Sequence, residues 1–257
     1  MSAQALLAGL SADPGLAAYL LVAVTSFLAS VVGGIAGYGT GLLLPPVLIP
    51  IIGAEAVVPV IGLSALLTNG SRLVAFRAHL DMRRAVLISL CSLPTTALGA
   101  WGYTLLSGPA ATLVIGAALV LLVPVRRWLA GRRGHLGDAG LAAASTGYGL
   151  LVGGTSGSGI VLLAMLLSSG LTGMAVIATD AAISLPVGIV KSAVFAWQGA
   201  LPWPAVVMAL LIGVSAVPGA FLARRMAASL SLEGHARILD AVVMLGGAFL
   251  IWQGLRG

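Results

Sequence analysis

Charge is what this sequence has least of. Only 8% of its 257 residues are Asp, Glu, Lys or Arg, against about 25% in an ordinary soluble domain. With 60% hydrophobic residues, such a chain cannot cover its own surface in water, and lipid must be its solvent. Cysteine is nearly absent too. The single Cys91 excludes an intrachain disulfide, and its place in an apolar span reads as a small core residue. Histidine is limited to His79, His135 and His235, all in polar loops. That distribution argues against a metal site and leaves no imidazole inside an apolar span. No GxxxxGK[ST] segment is present, so nothing points to ATP-driven work, and no cofactor is expected. Residues 1–13 lack a basic n-region and the apolar stretch after them is too long for a cleavable signal.

What is present is long uncharged sequence. Residues 14–54, 85–125 and 139–179 carry no charge, and each stretch is 41 residues long. One crossing takes about 20 residues, so each has room for two. The chain is therefore expected to be an all-α polytopic membrane protein. Its net charge of +6 is no nucleic-acid signal. The basic residues group between apolar spans: Arg72, Arg77, Arg83 and Arg84; then Arg126, Arg127, Arg132 and Arg133; then Arg224, Arg225 and Arg237. The positive-inside rule places all three groups in the cytoplasm.

The chain also repeats itself. Residues 33–42 (GGIAGYGTGL) align with 153–162 (GGTSGSGIVL) as GGxxGxGxxL, at an offset of 120. Gly53 meets Gly173 and Gly99 meets Gly219 at the same offset. Two tandem repeats follow, residues 1–133 and 134–257, within one membrane domain. Eight long spans and one short broken segment per repeat account for the apolar sequence. Between the second and third arginine groups lie three obvious spans. An even number is required, so the short segment after the second Gly motif must supply another crossing. Each half then has an odd number of crossings, and the halves are inverted with both termini outside. The alternative has eight crossings, re-entrant Gly segments and parallel halves, but leaves the third arginine group on the wrong side.

The Gly motifs are expected near mid-membrane, where broken backbone is tolerated only if it packs in protein or lines a cavity. Free N–H groups there can face an anion. Three prolines, Pro45, Pro46 and Pro50, are expected to prevent a regular helix after the first motif. The competing reading makes Gly33/Gly37 and Gly153/Gly157 GxxxG packing seams. Candidate anion ligands are Gly37, Tyr38, Gly39 and Thr40 of the first motif and Thr155, Ser156, Gly157, Ser158 and Gly159 of the second. Asn69 and Arg72 sit late in one long span and Lys191 sits late in its repeat equivalent. Ionisable residues inside spans mark function or snorkel to an interface. Asp180, about two turns into its span, is the candidate for coupling a proton, and lies too far along the helix to pair directly with Lys191. Glu55 starts a span, and Trp197 with Trp203 read as an interfacial belt.

Residues 33–46 (GGIAGYGTGLLLPP), their second copy at 153–163 and the stretch 195–201 (FAWQGAL) resemble the TauE/SafE family of sulfite exporters. The resemblance runs from about residue 16 to 250. It implies a transporter for sulfite or related small sulfur anions in the bacterial inner membrane. Where that pattern has small hydroxyl residues early in the sixth long span, this chain has Thr179-Asp180, which points towards proton coupling. The expected partners are a small anion and the bilayer, with no nucleic acid, and a homodimer is compatible with the sequence. The leading expectation is an exporter of sulfite or a small organosulfonate, working by alternating access without ATP. The alternative is a channel or permease for another small anion such as a carboxylate. Gly154-Thr155-Ser156-Gly157 also matches the GxSG of intramembrane proteases, but a nucleophilic serine without a base in a span cannot act, so no enzyme is expected.

Overall fold

The computed structural model describes residues 15–36, 40–131, 136–226, 244, 247–252 and 254–255. Among these the secondary structure is helical, with no strands. In chain order the helices are α1 (Gly15–Ala36), α2 (Thr40–Leu43), α3 (Pro45–Ile52), α4 (Ala54–Phe76), α5 (Met82–Thr104), α6 (Gly108–Gly131), α7 (Asp138–Gly154), α8 (Gly159–Ser168), α9 (Met174–Trp197) and α10 (Trp203–Met226). Five of the described helices are long and apolar enough to cross a membrane: those at Gly15–Gly33, Ala54–His79, Met82–Thr104, Met174–Trp197 and Trp203–Met226. Their outward faces carry Leu20, Leu28, Leu90, Leu98, Val214 and Phe221, as lipid-facing surfaces require.

Local sequence explains where the helices begin and stop. Asp81 is the N-cap of α5 and accepts a hydrogen bond from the Arg84 backbone N–H at 2.9 Å. That bond, with the Arg84 guanidinium beside it, holds the Asp81 carboxyl below its ordinary value. Glu55 and Asp138 lie in the first turns of α4 and α7, and Arg224 and Arg225 in the last turn of α10, each matching the helix dipole. The proline-rich stretch corrects one expectation. Pro45 and Pro46 occupy the first positions of α3, with Pro50 inside it. An N–H is not needed at a helix start, so these prolines start a new eight-residue helix after the break at Leu44 instead of preventing one. Gly53, at φ 76°, then turns the chain into α4.

Helix pairing crosses between the halves. α5 packs chiefly on α7, α1 on α10, and α4 on α9, with α4 also on α10 and α5 on α9. Glycines set the close approaches. A Cβ on Gly99 would collide with the Leu150 carbonyl oxygen, and one on Gly219 would lie 2.7 Å from the Phe27 carbonyl oxygen and 2.9 Å from Ser30 Cβ. Gly219 is 120 residues after Gly99, and Leu150 is 120 after Ser30, so the same helix contact occurs twice. Gly149 and Gly153 likewise lie against the backbone of α5 at Ser92, Thr96 and Ala100. At Gly153 the packing-seam reading is correct.

α7 and α8 form a hairpin. The Leu136 N–H, just before α7, donates to the Ser168 carbonyl oxygen at the end of α8, at 3.0 Å. Arg84 also reaches the Ser169 carbonyl oxygen at 2.6 Å, and Arg83 pairs with Asp138. The Asp81 N–H donates to Thr179 Oγ1 at 3.1 Å. One end of the bundle thus gathers the α4–α5 turn and the starts of α7 and α9. At the other end Gln198 Nε2 donates to Thr104 Oγ1, and the Tyr103 hydroxyl donates to the Ala54 carbonyl oxygen at 2.6 Å.

Gly99→Ala and Gly219→Ala should each lower thermal stability by about 1–3 kcal/mol, the usual cost of overpacking. Gly102→Ala, where an added Cβ meets nothing within 4 Å, should be neutral or raise stability by up to about 1 kcal/mol through helix propensity. Thermal unfolding in detergent micelles measures all three.

Candidate functional site

The two Gly motifs meet inside the bundle. A Cβ on Gly41 would lie 2.7 Å from the Gly157 backbone nitrogen, and one on Gly157 would strike the Leu42 side chain. Gly157 also has φ +82°, a region that L side chains rarely enter. Backbone therefore meets backbone where α2 begins and where the α7–α8 hairpin turns. Beside this contact is a cavity of about 120 Å³.

Thr40, Asn69, Arg72, Thr155, Ser156, Gly157, Ser158, Gly159, Asp180 and Lys191 all line that cavity. Gly37, Tyr38 and Gly39 lie outside the described residues. Sequence reasoning missed Tyr148, Ser184 and Gly62, which line it as well. Gly62 carries no chemistry to read from sequence. It leaves room for the Lys191 stem, whose Cε lies 3.3 Å from where a Gly62 Cβ would stand. Tyr148, seven residues before Thr155, offered the only visible signal, a phenol within an otherwise small-residue run.

Arg72 and Lys191 are both buried, at 9% and 5% exposure. Their partners differ. Arg72 contacts Asp180 Oδ2 at 3.2 Å and donates to Asn69 Oδ1 at 3.2 Å. Asp180, itself 2% exposed, is thus paired across helices with α4. Sequence spacing along α9 had excluded Lys191 as its direct partner without revealing Arg72. Lys191 Nζ donates to the Val152 and Thr155 carbonyl oxygens, at 2.6 and 2.8 Å. These belong to the last turn and cap of α7, the negative end of its dipole.

The hydroxyls divide in the same way. Thr155 Oγ1 is committed to the Leu151 carbonyl oxygen at 2.7 Å. Ser156 Oγ is buried, lines the cavity and has no hydrogen-bond partner. Asp180 Oδ1 is buried without a hydrogen-bond partner too. No side chain caps the N-terminus of α8 at Ser158. The cavity therefore combines two cations, an uncommitted hydroxyl and an open helix N-terminus, the groups that receive an anion.

A family model for the sulfite exporter TauE/SafE matches residues 22–250. This chain belongs to the TauE/SafE family. No curated protein and no solved structure matches it. Membership makes it a membrane transport protein of the sulfite exporter type, with a small anion as the substrate class and the bilayer as its surroundings. The TauE/SafE match spans both Gly motifs and every described residue that lines the cavity.

The buried pair can be tested by a double-mutant cycle. Arg72→Met leaves the Asp180 carboxylate buried without its cation and should cost about 3–5 kcal/mol. Arg72→Met with Asp180→Leu should recover most of that stability, because the charge left behind is then gone. Thermal unfolding of the four proteins measures the coupling.

Proposed function

We propose that this protein exports a small anion, sulfite or a small organosulfonate, across a bacterial cytoplasmic membrane by alternating access without ATP. The observation that carries this reading is the meeting of Arg72, Lys191 and the unpartnered Ser156 hydroxyl on one small cavity where the two Gly motifs converge. Thr40, Thr155 and Ser158, with the backbone of Gly157 and Gly159, complete the anion's surroundings, and Gly37, Tyr38 and Gly39 belong with them on the motif pattern. Asn69 orients Arg72.

The contacts support two inverted repeats, residues 1–133 and 134–257. The hairpin of α7 and α8 enters from the arginine-rich end and returns to it, so α9 starts where α7 started. α4, α5 and α6 then cross three times, as do α9, α10 and the last segment, and an odd repeat inverts its twin. The three arginine groups fall on one side under this scheme, as the positive-inside rule asks. By the 120-residue offset, α1 with α2 and α3 is the matching hairpin from the opposite face. The eight long spans expected from the sequence, with one short broken segment per repeat, are then six crossings and two hairpins.

Direction follows from charge. A bacterial interior is electrically negative, and moving one charge through 100 mV is worth about 2.3 kcal/mol. A monoanion leaves downhill with no coupling ion. In liposomes loaded with methanesulfonate, efflux should follow an imposed potassium-diffusion potential. Efflux indifferent to potential, driven by a pH gradient and lost in Asp180→Asn would replace this uniporter with a proton-coupled permease.

Two further outcomes are expected. A Cβ on Gly159 meets nothing within 4 Å, so Gly159→Leu should fold normally, fill the cavity and weaken anion binding by at least about 1.4 kcal/mol, a tenfold loss. Equilibrium binding to purified protein measures it, and unchanged affinity would leave this glycine without a role. For topology, single cysteines at His79 and Thr172 in a Cys91→Ala background should label from the cytoplasm, and one at Gln198 from the periplasm. Parallel halves reverse the last two.

A further inference from the structure

The formal charges around the cavity do not cancel. Among the described residues that line it, Arg72 and Lys191 are cationic and Asp180 is anionic. Tyr148 is the remaining titratable group there. The other ionisable groups on helices packed against α9 lie outside the cavity: Glu55 on α4, Arg77 and His79 in the turn after it, Asp81, Arg83, Arg84, Cys91 and Tyr103 on or beside α5, and Asp138 on α7. The empty site therefore carries one net positive charge. The Lys191 head meets two carbonyl oxygens at the negative end of α7. Buried net charge is costly, so the best occupant is the one that brings the sum to zero.

We infer that the site selects by valence: a monoanion binds alone, whereas a dianion binds together with one proton, which Asp180 takes up. This rests on reading the cavity as the anion site. The geometry supplies the proton's place, since Asp180 Oδ1 is buried without a hydrogen-bond partner while Oδ2 faces Arg72. With a dianion present, Arg72 has a second acceptor within the same cavity, and a neutral Asp180 leaves the sum at zero. One site thus moves one net charge per turnover for monoanions and for dianions alike.

The test uses two probes that do not themselves titrate near neutral pH, methanesulfonate and sulfate. Proton uptake on binding is read with an indicator dye in weakly buffered solutions of the purified full chain. No proton should accompany methanesulfonate, and about one should accompany each sulfate. Sulfate affinity should then fall about tenfold per pH unit as pH rises, the signature of one linked proton, while methanesulfonate affinity stays flat. Lys191→Gln lowers the empty-site charge to zero, and methanesulfonate should now bring in one proton. Asp180→Asn should bind sulfate with no proton and no pH dependence. Sulfate binding to the unmodified protein without proton uptake, equal uptake for both anions, or no sulfate binding at any pH while methanesulfonate binds would each overturn the inference. If neither anion binds, the anion-site reading itself fails, which is a different result from binding without the valence pattern. The measurements on the unmodified protein decide the matter even if a variant does not fold.

Discussion

A broken helix in a membrane exposes backbone N–H and C=O groups that hydrocarbon cannot satisfy. This chain breaks its helix at residues 155–158, inside the second Gly motif, and the bundle is arranged around that constraint. The break is brought against α2, Gly157 on Gly41, so that polar backbone faces protein and cavity. The end of α7 shows the remedy in detail. Its last carbonyls lack helical partners, and Lys191 donates to two of them. Without the break at residues 155–158 there would be no acceptors there for a buried ammonium, and without Lys191 those carbonyls would lack this donor.

Close packing follows from the same constraint. Two hairpin arms can reach the middle of the bundle only if the helices beside them let backbone approach backbone. Gly99, Gly149 and Gly153 do this between α5 and α7, and Gly219 does it between α10 and α1. In lipid there is little hydrophobic gain from helix association, so small residues and the dispersion contacts they permit carry much of it. Glycine has three uses here. At Gly99 and Gly153 it permits packing, at Gly157 it also permits a left-handed backbone, and at Gly159 it leaves the cavity open.

The polar groups left over define the site's chemistry. Among the described residues every buried charge has a counterpart, Arg72 with Asp180 and Lys191 with the end of α7. Two cations against one carboxylate leave the site short of one negative charge. On the proposed reading a transported anion supplies it and departs without being trapped, because both cations already have internal partners to return to. Small anion exporters need this balance: attraction sufficient to enter and competition sufficient to leave.

Much of this was determined by sequence alone. Scarcity of charge required lipid, uncharged stretches of 41 residues had room for pairs of membrane segments, and the GGxxGxGxxL repeat marked the two segments that meet at the cavity. Gly motifs and isolated ionisable residues named half of the cavity lining in advance, because such residues are costly in lipid and survive only where protein surrounds them. What required tertiary structure was pairing between elements distant in the chain. The contact of Arg72 with Asp180 joins residues 108 apart, and spacing along α9 could only exclude Lys191. Tyr148 and Gly62 escaped notice because an apolar span hides which side of a helix faces a cavity. The prolines of α3 misled for a local reason, since their effect depends on position in a helix, and only the fold placed two of them at its start. Sequence specifies which groups cannot face lipid, but the packing of the two halves decides which of those groups meet.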